Sequence, residues 1–436
     1  MKTLHLTNAW HANSGGIATF YRALMEAATR RQHEICMVVP GAKDGVEHTG
    51  SHRIYSIASR TAPLNADYRM MFPHSYLRGG SRLRQILNAE RPDLVEVCDK
   101  YTLNYFGGML RTGMMGDVSV MPLVVGLSCE RMDDNVRAYL GWNRPARALV
   151  SLYMKWLYFS LFDHHIVNSE YTAEELRAVS TGHPIRRGVW IRPMGVDTHD
   201  LSPAHRSSVA RHTLLERVGA GSDATLLLYV GRMAREKNLN LLIDTLEELH
   251  NSGREDWRLI VVGEGIERAQ FLAEADRRVP GRVSWLGHMR DRKELAKIYA
   301  NCDVFLHPNP REPFGIAPLE AMASGLPVVV PDRGGVLSYA NFLNAWTVPA
   351  TSVSFAAAAR EVVSNEHVRE ERIAQALKTA SEFSWEHAAG SFLDLYEDLH
   401  RAGQLGADFY STAPEGRGSC VARYTASLVQ RFLLTR

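Results

Sequence analysis

Short continuous apolar segments alternate along the chain with longer stretches in which apolar residues return every third or fourth position. The continuous segments indicate buried strands of parallel sheets, and the helical period indicates helices that cover them. This alternation predicts an α/β architecture. The predicted strands span residues 3–7, 35–39, 94–97, 123–127, 163–168, 225–230, 259–262, 283–286, 304–306 and 325–330. The predicted helices span residues 17–30, 148–162, 239–249, 293–299 and, as a final group, 354–402.

The length of 436 residues exceeds what one ordinary core organises, so we expect two domains. A polar stretch at residues 201–218, which contains Ser202-Pro203, is interpreted as the linker between two α/β units. We expect Rossmann-like domains at residues 1–200 and 201–385. A last helix and tail then occupy residues 386–436.

Composition narrows the class of protein. An apolar content of 45% and a charged content of 22% are typical of a globular protein in water. The net charge of +2 gives no strong indication of a nucleic-acid partner, because basic and acidic residues nearly balance, and we expect none. Five dispersed cysteines and an N-terminus without the apolar core of a signal peptide indicate a cytoplasmic protein. The most apolar stretch, residues 148–162, is too short to span a bilayer and contains Lys155.

One segment raises the question of a membrane. Residues 68–84 mix arginines with aromatic residues and methionines. The segment either makes a peripheral contact with the inner face of an anionic membrane or with a lipid acceptor, or it is a loop and a solvated helix start. The sequence leaves both interpretations open.

Candidate chemistry is concentrated in the stretch REPFGIAPLEAMASG, residues 311–325, which follows a predicted strand. Glu312 and Glu320 stand eight residues apart, and Pro318 suits the first turn of a helix. Glu320 is then expected in that first turn, with the backbone N–H groups of Ile316, Ala317 and Leu319 facing an anion. Taken singly, each glutamate is interpreted as a solvated residue. The segment as a whole favours a site.

Two cations follow another predicted strand. Arg232 and Lys237 lie five residues apart in the loop that leads into the next helix. Cations in this place can stabilise the charge that develops on a departing diphosphate. The sequence has no DxD triplet and no cluster of His, Asp and Glu at metal-ligand spacing near these residues. We therefore expect catalysis without a metal or other cofactor.

A glycine pair, Gly15-Gly16, follows the first strand and precedes the first helix. Such a pair lets the backbone approach a ligand, although it is more often a plain turn. The chain contains neither a GxGxxG fingerprint nor a GxxxxGK[ST] phosphate loop.

Together these motifs resemble those of retaining glycosyltransferases of the GT-B fold, in particular family 4. The resemblance rests on the E-x7-E segment, on G-R-x4-K-N at residues 231–238, on the helix start at Ser169 and on Met194-Gly195-Val196-Asp197, where the family usually has PNGVD. It implies two Rossmann-like doubly wound domains that face each other across a cleft. The acceptor binds the first domain and the donor binds the second, and the last helix crosses back to the first domain.

The resemblance also implies roles for individual residues. Glu320 contacts the ribose, Glu312 contacts a sugar hydroxyl, and Arg232 with Lys237 bind the diphosphate. The donor-site residues that it implies are Gly15, Gly16, Arg232, Lys237, Gly263, Gly265, Glu312, Phe314, Gly315, Ile316, Ala317 and Glu320. Gly263 and Gly265 are expected as walls for the base.

The acceptor side departs from the family pattern. Where members usually carry a histidine, this chain has Cys129, followed by Glu130 and Arg131. Cys129 and Glu130 are therefore candidate catalytic residues beside Glu312, Arg232 and Lys237. The plainer interpretation of Cys129 is a small buried residue at a strand end.

The implied activity is transfer of a hexose from a UDP- or GDP-sugar to a glycan or lipid acceptor. Transfer occurs on one face of the sugar with retention, and the leaving phosphate takes the acceptor proton. The absent histidine keeps open a non-catalytic GT-B subunit that binds a sugar nucleotide or a partner enzyme. A GT-B phosphorylase or a nucleotide-sugar epimerase is a further alternative.

Overall fold

The structure is a computed structural model. It describes residues 1–404 except 12–14, 63–64, 142, 182–187, 252 and 254–255. Residues 405–436 of the predicted C-terminal segment, and residues 12–14 just before the Gly15-Gly16 pair, therefore lie outside the described residues.

The N-terminal half of the chain is built on a sheet of short, largely buried strands. These are β1 (Lys2–Thr7), β2 (Glu34–Gly41), β3 (Gly45–Thr49), β4 (His52–Ala58), β7 (Leu94–Cys98), β8 (Leu123–Ser128), β9 (His164–Val167) and β10 (Gly188–Ile191). Their order is β10-β9-β8-β7-β1-β2-β4-β3. β3 runs antiparallel to β4, whereas the other neighbours run parallel. A separate hairpin consists of β5 (Arg60–Ala62) and β6 (Asn65–Met70).

The C-terminal half has a parallel sheet of its own. Its strands are β11 (Thr225–Val230), β12 (Trp257–Val262), β13 (Val283–Trp285), β14 (Val304–Leu306), β15 (Val328–Pro331) and β16 (Trp346–Val348). They lie in the order β13-β12-β11-β14-β15-β16. Because strand order reverses between β11 and β14, the carboxyl ends of these two strands form a crevice where ligands bind in such sheets.

Helices cover the two sheets. In the N-terminal half they are α1 (Gly16–Arg30), α2 (His74–Leu77), α3 (Arg82–Glu90), α4 (Asn104–Arg111), α5 (Met132–Leu140), α6 (Arg144–Leu152) and α7 (Glu170–Ser180). In the C-terminal half they are α8 (Ser208–Arg217), α9 (Asn240–Asn251), α10 (Arg268–Arg278), α11 (Arg292–Asn301), α12 (Ile316–Ala323), α13 (Ser352–Ser364), α14 (Glu366–Glu382) and α15 (Trp385–Gln404). The α/β, GT-B-like arrangement predicted from the sequence is confirmed.

Apolar periodicity located most of these elements correctly. The predicted stripe on α9 is buried at Leu239, Leu242, Ile243, Leu246 and Leu249. These side chains pack in one core with residues of β11 and β12. The physical reason is that an apolar stripe of helical period loses water contact only when it packs on a sheet.

Several predictions about elements were wrong. The stretch at 201–218 is not a plain linker, since Pro203–His205 forms a 3-10 turn and α8 follows it. The segment at 325–330, which is the last strand predicted from the sequence, is not the last strand of the sheet, because β16 lies beyond it. The helix predicted at 148–162 starts earlier, at Arg144, and continues beyond α6 as a π-helical turn, Tyr153–Tyr158.

The segment at residues 68–84 is partly buried. Met71, Tyr76 and Leu83 are each at most 1% exposed. The guanidinium of Arg84 is buried and donates to the backbone carbonyl of Tyr76. Leu77, in contrast, is 51% exposed, so only part of the segment serves the core, and a membrane contact through it stays a prediction. In the described part of the chain, no helix is long and apolar enough to cross a bilayer.

The last helix returns to the N-terminal half. Phe392 of α15 packs on Phe20 of α1, with ring centroids 4.7 Å apart. Next to the start of α15, Val196 and Ser384 form a short parallel bridge. A Cβ at Gly195 would lie 2.7 Å from Cα of Trp385, so this segment and the helix start are in direct backbone contact.

Candidate active site

The loop after β11 presents a lysine toward the loop after β14. A 3-10 turn, Arg235–Lys237, follows β11, and Asn238 then adopts a left-handed conformation with φ 55°. The side-chain amide of Asn238 donates to the carbonyl of Pro308 at 2.9 Å. This contact ties the two loops together and fixes the direction of Lys237.

Lys237 and Glu312 form an ion pair in which the ammonium group contacts both carboxylate oxygens. The Lys237 Nζ donates to Oε1 of Glu312 at 2.9 Å and to Oε2 at 2.8 Å. The Asn309 amide donates to the same Oε2 at 3.0 Å. Nε2 of His307 lies 3.7 Å from that oxygen. Three residues from the loops after two strands therefore converge on the carboxylate of Glu312.

Burial and neighbouring charges shift the pKa values of Glu312 and His307. Burial alone would raise the pKa of Glu312, but Lys237, His307 and Asn309 more than offset it and hold the pKa at about 2. Burial lowers the pKa of His307 to about 4. The positive charge of Lys237 also lowers it, and the negative charge of Glu312 compensates only in part. At neutral pH the cluster contains an ionised Glu312 and a neutral His307.

Arg232 occupies a different environment from Lys237. Its side chain is 70% exposed and donates from Nη2 to Oε1 of Glu236 at 2.8 Å. The other oxygen of Glu236 accepts a hydrogen bond from the Tyr139 hydroxyl at 2.7 Å. Tyr139 belongs to α5 of the N-terminal half, so Arg232 stands in the cleft between the halves.

The starts of α1 and α12 meet at the cleft. Gly315 precedes α12 with φ 84°, which favours glycine. A Cβ at Gly16 would come within 2.6 Å of Cδ1 of Ile316, so glycine permits the close approach of the two helices. Gly15 is exposed beside this contact. Two helix N-termini thus face one place, which favours an anion there.

The prediction for the α12 start is correct for Pro318 and wrong for Glu320 and Leu319. Pro318 is the third residue of α12 and lies in its first turn, whereas Glu320 is the fifth residue, beyond that turn. The free N–H groups at the helix start therefore belong to Ile316 and Ala317. The N–H of Leu319 is placed to bond within the helix. The error arose because proline tolerates any position of the first turn.

Glu320 lies below the helix start and accepts a hydrogen bond from the Tyr299 hydroxyl at 2.9 Å. Burial raises its pKa, although the Tyr299 hydroxyl and Arg292 oppose the shift. Phe314 is buried against Tyr339, with ring centroids 5.2 Å apart, so only its backbone is available at the cleft.

Gly263 and Gly265 pack against the loop that carries Arg232. A Cβ at Gly263 would lie 1.9 Å from the carbonyl oxygen of Gly231, and one at Gly265 would lie 2.1 Å from that of Met233. The N–H of Gly263 donates to the carbonyl of Gly287, and its own carbonyl accepts from the Trp285 indole. These glycines are required by backbone packing, and their role as walls for a base stays a prediction.

On the N-terminal side, Cys129 and Glu130 follow β8. A hydrogen bond with Cys98 and burial raise the pKa of the Cys129 thiol well above its usual range, so the thiol is neutral. Burial also raises the pKa of Glu130, whose Oε2 accepts from the Asn135 amide at 2.8 Å. Arg131 is turned away, because its guanidinium holds both carboxylate oxygens of Asp133 at 3.0 and 2.7 Å.

The sequence interpretation missed His11 and Tyr68. Their rings lie 4.8 Å apart, and Tyr68 stands on β6. Burial and the charge of Arg232 lower the pKa of His11, so the pair lies near Arg232 across the cleft. The signal that could have revealed His11 is its position just after β1, at the carboxyl edge of the sheet.

Parallel sheets in both halves, carboxyl edges that face a shared cleft and a last helix that crosses back define the GT-B class of glycosyltransferases. The family model described as Glycosyltransferase Family 4 matches residues 14–200, and the model described as Glycosyl transferases group 1 matches residues 211–379. The chain belongs to the group 1 glycosyltransferases with the GT-B fold.

Individual relatives extend over most of the chain. A GDP-mannose-dependent alpha-(1-6)-phosphatidylinositol dimannoside mannosyltransferase of Mycobacterium tuberculosis is 28% identical over 398 residues, which cover 90% of this chain and 95% of the relative. A GDP-mannose-dependent alpha-mannosyltransferase of the same species is 29% identical over 329 residues, 73% of this chain and 76% of the relative.

Among solved structures, the sucrose-phosphate synthase of Thermosynechococcus elongatus superposes with a TM-score of 0.75. The sequence identity is 20%, and the superposition covers 92% of this chain and all of the other. This similarity concerns the fold.

Proposed function

We propose that the protein is a metal-independent, retaining glycosyltransferase that moves a hexose from a nucleotide diphosphate sugar to a glycan or lipid acceptor. The observation that carries the proposal is the Lys237–Glu312 pair, with N–O distances of 2.8 and 2.9 Å, at the crevice between β11 and β14. It lies at the edge where α/β sheets bind ligands, close to the helix starts that favour an anion.

The relatives support a choice of donor. Both mycobacterial relatives are named as GDP-mannose-dependent, and one is named for a phosphatidylinositol dimannoside acceptor. We therefore take GDP-mannose as the first candidate donor and a mannosylated lipid or glycan as the first candidate acceptor. A UDP-sugar is the alternative donor.

The residues of the site have separate roles in binding the donor. Lys237 has three N–H donors, of which Glu312 takes two, so one remains for a phosphate oxygen. The exposed fork of Arg232 can approach the same diphosphate. The free N–H groups of Ile316 and Ala317 add donors at the helix start. Glu312, held ionised, can accept a hydrogen bond from a sugar hydroxyl.

The transfer step follows from these roles. The acceptor oxygen forms a bond to the anomeric carbon while the bond from that carbon to the phosphate oxygen breaks. The acceptor proton passes to the departing phosphate oxygen, and the configuration is retained. Hydrogen bonds and a pKa of about 2 make Glu312 a weak nucleophile, which favours this front-face course over a covalent intermediate. Lys237 and Arg232 supply the charge stabilisation that a metal supplies elsewhere.

One observation favours a second candidate, a non-catalytic subunit that binds a sugar nucleotide. Cys129 is a neutral thiol at the place where the family pattern has histidine. If the protein is an enzyme whose catalysis depends on the residues that bind the donor, the Cys129→Ser variant retains much of the rate, whereas the Glu312→Ala variant loses most of it. Release of nucleoside diphosphate, measured for both variants, distinguishes the two candidates. A wild type that binds donor and never releases the diphosphate favours the subunit.

Thermal unfolding with a panel of donors tests the proposal. GDP-mannose should raise the Tm of the wild type, because a ligand that binds the native state stabilises it by mass action. The rise should be smaller for the Lys237→Ala variant measured against its own ligand-free Tm. No rise with any GDP-, UDP- or ADP-sugar, together with no diphosphate release, would contradict the proposed function.

A further inference from the structure

Helix α6 lies on the surface with few of its side chains in the core. It starts after Asn143, whose side-chain oxygen accepts from the N–H of Ala146 at 3.0 Å. In α6 the buried residue is Val150, whereas Leu149 is 69% exposed and Leu152 is 58% exposed. Two large apolar side chains thus face water on one short helix.

The exposed apolar residues of α6 share a face. Pro145, Leu149 and Leu152 follow the i, i+4, i+7 spacing of one helix side, and Val150 points to the other side. In a helix that serves only the core, the apolar stripe faces inward. Here an apolar strip faces outward, and we call Pro145, Leu149 and Leu152 the outer strip.

Cations border the outer strip. Arg144, Arg147 and Lys155 recur at helical spacing on the neighbouring side of the same helical segment. Residues 135–162 contain four lysines and arginines and no aspartate or glutamate. Among the described residues, neither Arg144 nor Arg147 has an ion-pair partner. The surface is therefore apolar and positively charged at once.

We propose that α6 binds the surface of an anionic phospholipid bilayer. Leu149 and Leu152 would enter the boundary between headgroups and acyl chains, and Arg144 and Arg147 would bind headgroup phosphates. An outward apolar strip bordered by cations fits this partner, since a bilayer offers a negative layer above an apolar one. Charge complementarity favours it over a second copy of the chain, because two positively charged surfaces repel each other.

The surface is close to the cleft. Arg144 follows Tyr139 by five residues, so the two Cα atoms are at most about 18 Å apart. Tyr139 bonds Glu236, which is the neighbour of Lys237. A bilayer bound at α6 therefore lies near the mouth of the cleft.

Vesicle sedimentation of the full chain tests the proposal, with no donor present. The wild type should sediment with vesicles of phosphatidylcholine and phosphatidylglycerol and much less with phosphatidylcholine alone. The double variant Leu149→Ser with Leu152→Ser should lower the partition coefficient between solution and vesicles at least about tenfold, because two apolar side chains are no longer buried in the bilayer. Arg144→Gln with Arg147→Gln should lower it by about tenfold or more, and added salt should weaken binding by the wild type.

A matched control is Val209→Ser, which removes a side chain 75% exposed on α8 of the C-terminal half and should leave binding unchanged. Equal binding by the wild type and both double variants overturns the proposal. So does absence of binding by the wild type, or a loss of self-association rather than of vesicle binding in the leucine variant. If the leucine variant does not fold, the arginine variant decides. Failure here leaves the proposed function untouched, because no turnover is measured.

Discussion

Among single residues, the buried carboxylate of Glu312 is the feature on which the candidate site depends. Glu312 is 9% exposed and would be costly to bury alone. Lys237 and Asn309 compensate that cost with short hydrogen bonds. The sequence could indicate both charged residues from their motifs, but it could not show that they hold each other before any ligand binds.

This pairing changes what a single substitution should do. Lys237→Ala should lower turnover by about 10²–10³, because it removes charge stabilisation of the departing diphosphate. It should also lower the free energy of unfolding by about 3–5 kcal/mol, because it leaves Glu312 buried without its partner. Steady-state kinetics and urea unfolding measure the two effects.

The matched control is the double variant Lys237→Met with Glu312→Gln. It should recover much of the lost stability, since no uncompensated charge remains, while activity stays low. Arg232→Ala should lower turnover with little loss of stability, because its side chain is exposed. Full activity in both Lys237→Ala and Arg232→Ala would exclude the diphosphate site.

His307 predicts a pH dependence of stability. Its pKa in the folded state, about 4, is below its ordinary value of 6.5, so the unfolded chain binds the proton more readily. Stability should therefore be lost as the pH falls from 6.5 toward 4, by about 3 kcal/mol in total from this group. Glu312, with a depressed pKa of about 2, adds a further loss only as the pH falls below its ordinary value of 4.5.

Urea unfolding across this pH range checks the prediction. His307→Asn should flatten the dependence between pH 6.5 and 4. His250→Asn, on the exposed end of α9, should leave it unchanged. An equally steep loss in His307→Asn would show that another group is responsible.

Among the helices and strands, β11 and β14 determine the position of the candidate site, because the loops that follow them carry its residues. The ends of β11 and β14 could be predicted because continuous apolar segments stop at Gly231-Arg232 and at His307-Pro308. The contact between Tyr139 of α5 and Glu236 could not, because it joins residues 97 positions apart by tertiary packing. The strand β16 was missed because it is not a continuous apolar segment, since Thr347 lies between Trp346 and Val348.

The Tyr139–Glu236 contact predicts a link between cleft closure and Arg232. Tyr139→Phe should remove the hydrogen bond across the cleft and lower kcat/KM for the donor about fivefold to tenfold, with the free energy of unfolding nearly unchanged. Glu236→Gln should behave similarly, because it weakens the hold on Arg232. Tyr171→Phe, which removes a hydroxyl bonded to Asp134 within the N-terminal half, serves as control. Unchanged kcat/KM in Tyr139→Phe would contradict the link.

In the molecule as a whole, α15 connects the C-terminal half to the first sheet. Glu96 of β7 is fully buried, accepts from Tyr21 at 2.9 Å and lies 3.0 Å from Nδ1 of His5. The Tyr396 hydroxyl of α15 donates to its other oxygen. A helix at the chain end was predictable from its period, but this buried anchor was not, because its members are far apart in sequence.

Loss of that anchor should destabilise the N-terminal half. Tyr396→Phe removes a donor from a buried carboxylate and should lower the free energy of unfolding by about 1–3 kcal/mol. Tyr153→Phe, which removes a hydroxyl bonded to the Lys100 carbonyl, is a control for the general cost of losing a tyrosine hydroxyl. An unfolding free energy equal to that of the wild type in Tyr396→Phe would show that the anchor contributes nothing.

We propose that the cleft transfers a hexose from a nucleotide diphosphate sugar with charge supplied by Lys237 and Arg232. Release of GDP from GDP-mannose, measured with a mannosylated acceptor in excess EDTA, tests it most directly. We predict that the wild type releases GDP at an undiminished rate and forms a product of retained anomeric configuration, while Lys237→Ala is slower by about 10²–10³. Activity that is lost in EDTA and restored by Mn²⁺ or Mg²⁺, or that survives in Lys237→Ala, would contradict the account.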